Sequence, residues 1–98
     1  MAFTNKNTSH IFNMTIPTSI TKLSAFDCSE ALVSNRTGSS LYIYMESGVY
    51  SDDRRFLLED DESYIFKGIT NSDSLSAVAA SAGTIYVNTS FYSNTPAR

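Results

Sequence analysis

The sequence predicts a single small all-β domain, an antiparallel β-sandwich or barrel of about seven short strands. Three observations predict it. Six Tyr and six Phe stand among many Ser and Thr, and flat or branched side chains fit a pleated surface better than a helix. Several short segments alternate apolar and polar residues with the period of two that a half-buried strand requires. Clusters of Asn, Asp, Gly and Ser separate these segments at near-regular intervals, as in a sandwich. At 98 residues and 10.8 kDa the chain suffices for one compact domain and is too short for two. A domain of this size buries roughly 60–65% of its unfolded surface, so it folds with little margin.

The elements follow in order. Residues 1–9 are polar and unpatterned and read as an N-terminal arm, ahead of a sandwich domain over residues 10–92. Residues 10–16 set Ile11 and Asn13 against Phe12 and Met14 and stop at Pro17, as an edge strand does. Residues 18–27 space Ile20, Leu23 and Phe26 by three, which fits a turn of helix or a loop equally well. Residues 30–35 form a short strand closed by Asn35-Arg36-Thr37-Gly38, residues that favour turns. Residues 41–46 alternate strictly, with Leu41, Ile43 and Met45 on one face and Tyr42 and Tyr44 on the other.

Ser47-Gly48 and Ser51-Asp52-Asp53 bracket a loop, and residues 54–58 form the next strand. The acidic run Glu59-Asp60-Asp61-Glu62 then reads as a hairpin tip before a returning strand over residues 63–69. In residues 74–80, Leu75, Val78, Ala79 and Ala82 fit helical spacing, while Leu75, Ala77 and Ala79 also alternate as a strand. Ser81-Ala82-Gly83 favours the strand, joined as a hairpin to the run over residues 84–92. Residues 93–98, with Pro96, read as a C-terminal tail.

Charge narrows the function. The net charge is −3, and of the seven basic residues only Arg54 and Arg55 are adjacent. Nucleic-acid binders draw their affinity from clustered basic groups, so no nucleic acid is expected as a partner. The same acidity makes anionic membranes a poor partner. No apolar targeting segment or membrane span is present in the sequence, which leads us to expect a protein made in cytoplasm. Cys28 is alone, so the fold relies on its core rather than on an internal disulfide. A lone Cys with no His beside it reads as a small buried hydrophobe.

Candidate chemistry is sparse. The acidic runs, Asp52-Asp53 and residues 59–62, offer oxygen ligands for Ca²⁺. They lack the alternating spacing and central Gly that wrap an ion, and charges at a strand end also guard against edge-to-edge aggregation. Glu46, Asp52 and Glu62 could supply a glycosidase-type carboxylate pair only from separate strands facing one cleft. His10 has no sequence partner for acid–base work, and no phosphate loop, zinc spacing or nucleophile elbow occurs. We expect no enzyme activity, no catalytic or metal-binding residues and no cofactor. The tyrosines carry more information. Tyr42 and Tyr44 share one face, and Tyr86 and Tyr92 share another, each opposite an apolar face. Tyr is enriched at interfaces because its ring is apolar and its hydroxyl tolerates water. These four are the candidate interface, although cross-strand pairing on the exterior would use the same residues.

From Asn35 onward the order of motifs resembles a group of small bacteriophage virion proteins. The pieces are Asn35-Arg36-Thr37, Leu41-Tyr42-Ile43-Tyr44, Gly48, Phe56-Leu57-Leu58, Glu62-Ser63-Tyr64-Ile65-Phe66, Leu75-Ser76-Ala77-Val78-Ala79, Gly83-Thr84 and Ile85-Tyr86-Val87. The likeness covers residues 35–87, and hairpin chemistry alone selects many of the same residue types. It departs at Asp60-Asp61, where such proteins tend to carry Pro-Gly or Ala-Gly. The resemblance implies a β-sandwich module on a phage particle. The expectation is a capsid decoration (cement) protein, localised to the virion and bound to the major capsid protein or other virion proteins. It would form a homo-oligomer, a trimer by analogy. A tail or fibre component is the alternative within that class, and a carbohydrate- or receptor-binding module is the alternative outside it.

Overall fold

The computed structural model describes residues 3–45 and 50–96, with side chains described for residues 9–45, 50–51 and 53–90. The chain is all-β, with eight strands in two antiparallel sheets. They are β1 (Phe3–Ile16), β2 (Thr21–Lys22), β3 (Glu30–Arg36), β4 (Leu41–Tyr44), β5 (Arg55–Leu58), β6 (Ser63–Lys67), β7 (Ser76–Ala79) and β8 (Gly83–Pro96). Single 3₁₀ turns at Asp52–Arg54 and Ser72–Ser74 supply the helical content of the described residues. The segment around Leu75 that fitted two periods is thus a strand.

One sheet has the order β1-β8-β3-β6 and the other β2-β7-β4-β5. Among the described strands, only β4 and β5 are neighbours both in sequence and in a sheet; every other connection crosses from one layer to the other. This order is that of an eight-stranded jelly roll, two interlocked Greek keys folded into a sandwich.

Two expected hairpins are therefore corrected. β5 and β6 flank the acidic turn but lie in opposite sheets, and so do β7 and β8 around Ser81-Ala82-Gly83. The reason is visible in burial: Leu58 and Phe66, like Ala79 and Ile85, each point into the same core from opposite layers. A hairpin would have put both partners in one layer. Eight strands stand where about seven were expected, because residues 18–27 contain β2. That segment is extended, with Leu23 N donating to Leu75 O at 3.0 Å and Cys28 N to Thr70 O at 3.2 Å. The buried Ser72 hydroxyl accepts from Phe26 N and donates to Ser24 O, so tertiary bonds replace the helical ones.

The core lies between the sheets. Ile16, Ala31, Val33, Phe66, Ile85 and Val87 meet Leu41, Ile43, Leu58, Ala77 and Ala79, with Leu23, Cys28, Ile69 and Leu75 from the connections. Fully burying each large apolar side chain contributes about 1.5–3 kcal/mol. The two open flanks are closed by rings. Phe26 stacks on both His10 and Phe12, at 4.9 and 5.0 Å. On the opposite flank Phe56, Tyr64 and Phe66 contact one another, at 4.4–5.5 Å between centroids.

β1 ends directly before Pro17 and forms one edge of its sheet, as the sequence suggests. It pairs with β8 over its whole length, Phe3 opposite Pro96 through Ile16 opposite Gly83. The pairing of β3 with β8 ends at Glu30 opposite Ser90. Beyond that point residues 3–8 and 91–96 continue as a two-stranded ribbon. The residues read as arms are thus backbone-paired to each other from Phe3 and up to Pro96. Fourteen residues at about 3.4 Å each span roughly 48 Å, which accounts for the long dimension of 51 × 24 × 18 Å.

Candidate functional site

The outer face of the β1-β8-β3-β6 sheet is the most distinctive surface. Directly opposed residues in antiparallel strands share a face. Ile11 opposes Asn88, Asn88 opposes Leu32, and Leu32 opposes Ile65, so these four form one row across all four strands. The adjacent row runs Asn13, Tyr86, Ser34 and Ser63, with the Ser34 and Ser63 hydroxyls 2.8 Å apart. Ile11 is 77% exposed, Tyr86 48% and Ile65 45%, while Leu32 between them is half-buried. Single exposed apolar residues are ordinary, but several on one sheet face are a mark of contact, here Ile11 on one side of Asn88 and the Leu32–Ile65 pair on the other.

The face carries little charge for an acidic protein. Glu30 opposes Lys67 at one end of it. At the other end Arg36 is ion-paired to Asp61 at 2.8 Å. Between these ends the two rows carry no charged residue.

The four candidate tyrosines do not form one patch. Tyr42 and Tyr44 lie on the outer side of β4, in the second sheet, and Tyr86 lies on the outer side of β8, in the first. The Tyr42 ring lies under the Arg55 guanidinium, 3.9 Å from its carbon to the ring centroid, in a row with Leu57 and Val78. Tyr44 is 3% exposed and meets Tyr50 edge-on at 5.4 Å, so it is internal packing rather than free surface. Met45, expected on the core face, is 43% exposed. Tyr92 pairs with Asn7 through the backbone, and its side chain lies outside the described residues.

The acidic turn is a hydrogen-bonded corner. Asp60 Oδ1 accepts from Gly38 N at 2.9 Å, Glu62 Oε1 accepts from Glu59 N at 2.7 Å, and Ser40 donates to Glu59 at 3.2 Å. With Asp61 on Arg36, each of its four carboxylates has a partner in the fold. Among the described residues no group of three or more His, Cys, Asp or Glu is placed to hold a metal. Glu46, Ser47 and Gly48 lie outside the described residues, as does the Asp52 side chain. His10 is stacked on Phe26, a packing role. A pocket of about 310 Å³ at the end of the second sheet is lined by Ile43, Met45, Arg54, Arg55 and Phe56.

Cys28 is buried at 1% exposure. Loss of hydration pushes its thiol pKa up, and the nearby Asp27 and Asp73 carboxylates push the same way. The thiolate is the reactive form, so native Cys28 should resist iodoacetamide at pH 8 and react only as urea unfolds the chain. A raised folded pKa also fixes the sign of the pH dependence. The stability Cys28 contributes is complete below the unfolded thiol value near about 8.5 and is lost as pH rises above it. Urea titrations at pH 7 and 10 of wild type and Cys28→Ser check this, with the larger alkaline loss in wild type.

Sequence reasoning missed Ile11, Leu32 and Ile65. The available signal was doubled hydrophobicity: Ala31-Leu32-Val33 and Tyr64-Ile65-Phe66 are apolar on consecutive positions. A strand covered on one face alternates, whereas one covered on both reads as a continuous apolar run.

Fold and surface together define a two-layer jelly-roll module with one charge-balanced sheet face that exposes apolar side chains. Comparison with protein-family models, with curated proteins and with solved structures finds no match to this chain. Among the described residues no helix is long and apolar enough to cross a membrane.

Proposed function

We propose that this chain is a non-enzymatic structural protein of a phage particle, a decoration protein that binds the outer capsid surface and stabilises the shell. The observation that carries the reading is the pairing of residues 3–8 with residues 91–96 into a ribbon that leaves a jelly roll. Such a ribbon reaches a neighbour with its backbone edges open, so it extends contact area at low ordering cost. The jelly roll is an architecture that viral capsid domains use, and lectins use it too, so fold alone does not decide the function. The motif order over residues 35–87 favours the virion. Net charge of −3 favours the outer surface over a position beside packaged DNA.

The mechanism is surface burial: contacts that bridge capsid subunits must break before the shell expands, so each raises the barrier to rupture. The test is rebinding of the purified full chain to heads of the encoding phage stripped of accessory proteins, read by co-sedimentation and particle reconstruction. Saturable occupancy at fixed capsid positions, with a higher temperature of DNA release, is the expected result. Density in the tail, or glycan binding by the free protein with no head binding, would replace this reading.

A further inference from the structure

We infer that the outer face of the β1-β8-β3-β6 sheet is a self-association surface, and that a second copy of this chain covers it. The inference rests on the fold and the surface, not on the virion reading. Two observations select a second copy as the occupant.

The first is charge. The chain has ten acidic and seven basic residues, so two copies carry like net charge. On this face the charges of the described rows are balanced, Glu30 by Lys67 and Arg36 by Asp61. Two such faces meet without net like-charge repulsion. A strongly charged partner would find no complementary field here.

The second is area. Four strands about 4.8 Å apart, paired over about seven residues, present a face of roughly 20 × 25 Å. Face-to-face contact of two copies removes on the order of 1,000 Å² from water, about the threshold that separates a biological interface from a casual contact. The Leu32–Ile65 pair and Ile11, on either side of Asn88 and beside Tyr86, supply the apolar contacts such an interface needs, and the adjacent rows of Asn and Ser supply a polar rim. A twofold axis in the interface plane, parallel to the strands, brings Ile11 of one copy over Ile65 of the other. The contact is then self-complementary, as an isologous dimer requires.

Sedimentation velocity of the full chain from roughly 1 to 500 µM tests this, with circular dichroism confirming each variant's fold. Wild type is expected to pass from monomer to dimer within that range. Ile11→Asp and Ile65→Glu are each expected to raise the dissociation constant roughly tenfold or more. Leu57→Glu, on the outer face of the other sheet and 48% exposed, should leave it unchanged. Ile11 is so exposed on an edge strand that its variant should fold even if Ile65→Glu does not.

NMR of wild type over the same concentrations gives a readout free of variants. Shifts centred on Ile11, Leu32, Ile65 and Tyr86 support the inference; shifts confined to Tyr42, Leu57 and Val78 overturn it. A chain monomeric up to 500 µM also overturns it and assigns the face to a different molecule. Because no capsid enters these measurements, their failure is separate from failure to bind heads.

Discussion

Asn35→Leu should cost about 3–5 kcal/mol of unfolding free energy, measured by urea denaturation at pH 7. Asn35 is fully buried at the end of β3, where three cross-layer connections meet. Its Nδ2 donates to Ser39 O and to Leu58 O, both at 2.8 Å. Its Oδ1 accepts from Thr37 N at 2.9 Å and from Thr37 Oγ1 at 2.7 Å. One side chain thus ties the β3–β4 turn to the end of β5. Its backbone extends the knot, with Asn35 N donating to Glu62 O and Asn35 O accepting from Asp61 N, both at 2.9 Å. Leu matches the volume but removes the side-chain partner of Leu58 O and Thr37 N, and domains of this kind are stable by only about 5–15 kcal/mol.

Asn35→Asp sharpens the test through pH. The new carboxyl would replace an N–H donor that faces two carbonyl oxygens, so burial and those dipoles favour its protonated form. Its folded pKa is raised above the unfolded value of about 3.9. The stability it retains is therefore present at pH 3–4 and lost as pH rises toward 7. A variant more stable at pH 7 than at pH 4, relative to wild type, would show that the hydrogen bonds at Asn35 do not hold this corner.

Asn35 also marks the boundary of what the sequence discloses. Alternation is local, so Leu41-Tyr42-Ile43 and the run from Thr84 into β8 announced strands, and Pro17 announced where β1 stops. The Asn-Arg-Thr-Gly turn was equally plain. Period two assigns a residue to the inner or outer side of its strand; it does not assign the strand to a layer. Glu59–Glu62 and Ser81–Gly83 contain the same turn-forming residue types that hairpins use, yet both cross between sheets. Long-range contacts decide that: Asp61 adopts a left-handed conformation at φ 65° and pairs with Arg36, while Ser39 Oγ accepts from Ser81 N at 3.0 Å and donates to Ser81 O at 3.1 Å.

The candidate surface was legible in part for the same reason. Tyr86 points outward as its alternation predicts. Tyr44 has the matching alternation, but Tyr50, a few residues further along the chain, meets its ring edge-on. Residues 3–8 and 93–96 carry no apolar rhythm, and past Ser90 the described pairing of β1 and β8 is with each other.

Gly83→Ala should be the most damaging of the glycine substitutions, lowering stability by about 2–4 kcal/mol. A Cβ at this position would lie 2.6 Å from Thr37 Cα, 2.7 Å from Thr37 O and 2.8 Å from Thr37 Cβ. Two of those atoms are backbone, so relief requires the β3–β4 turn or the start of β8 to move. Gly83 opens β8 opposite Ile16, and a shift there would disturb the central strand that pairs with both β1 and β3. Gly38 supplies the contrast. It has φ 81° with nothing within 4 Å of a built Cβ, so Gly38→Ala bears only the left-handed strain of roughly 1–2 kcal/mol.

Thr37 lies against Gly83 on one side and is bonded to Asn35 on the other, so the two sites are coupled. In a double-mutant cycle, Asn35→Leu releases the turn that Gly83→Ala needs to displace. The combined loss should fall short of the sum of the single losses by more than about 0.5 kcal/mol. Additive losses would mean that the turn yields independently on its two sides, and that close approach at Gly83 is not what fixes the crossing between layers.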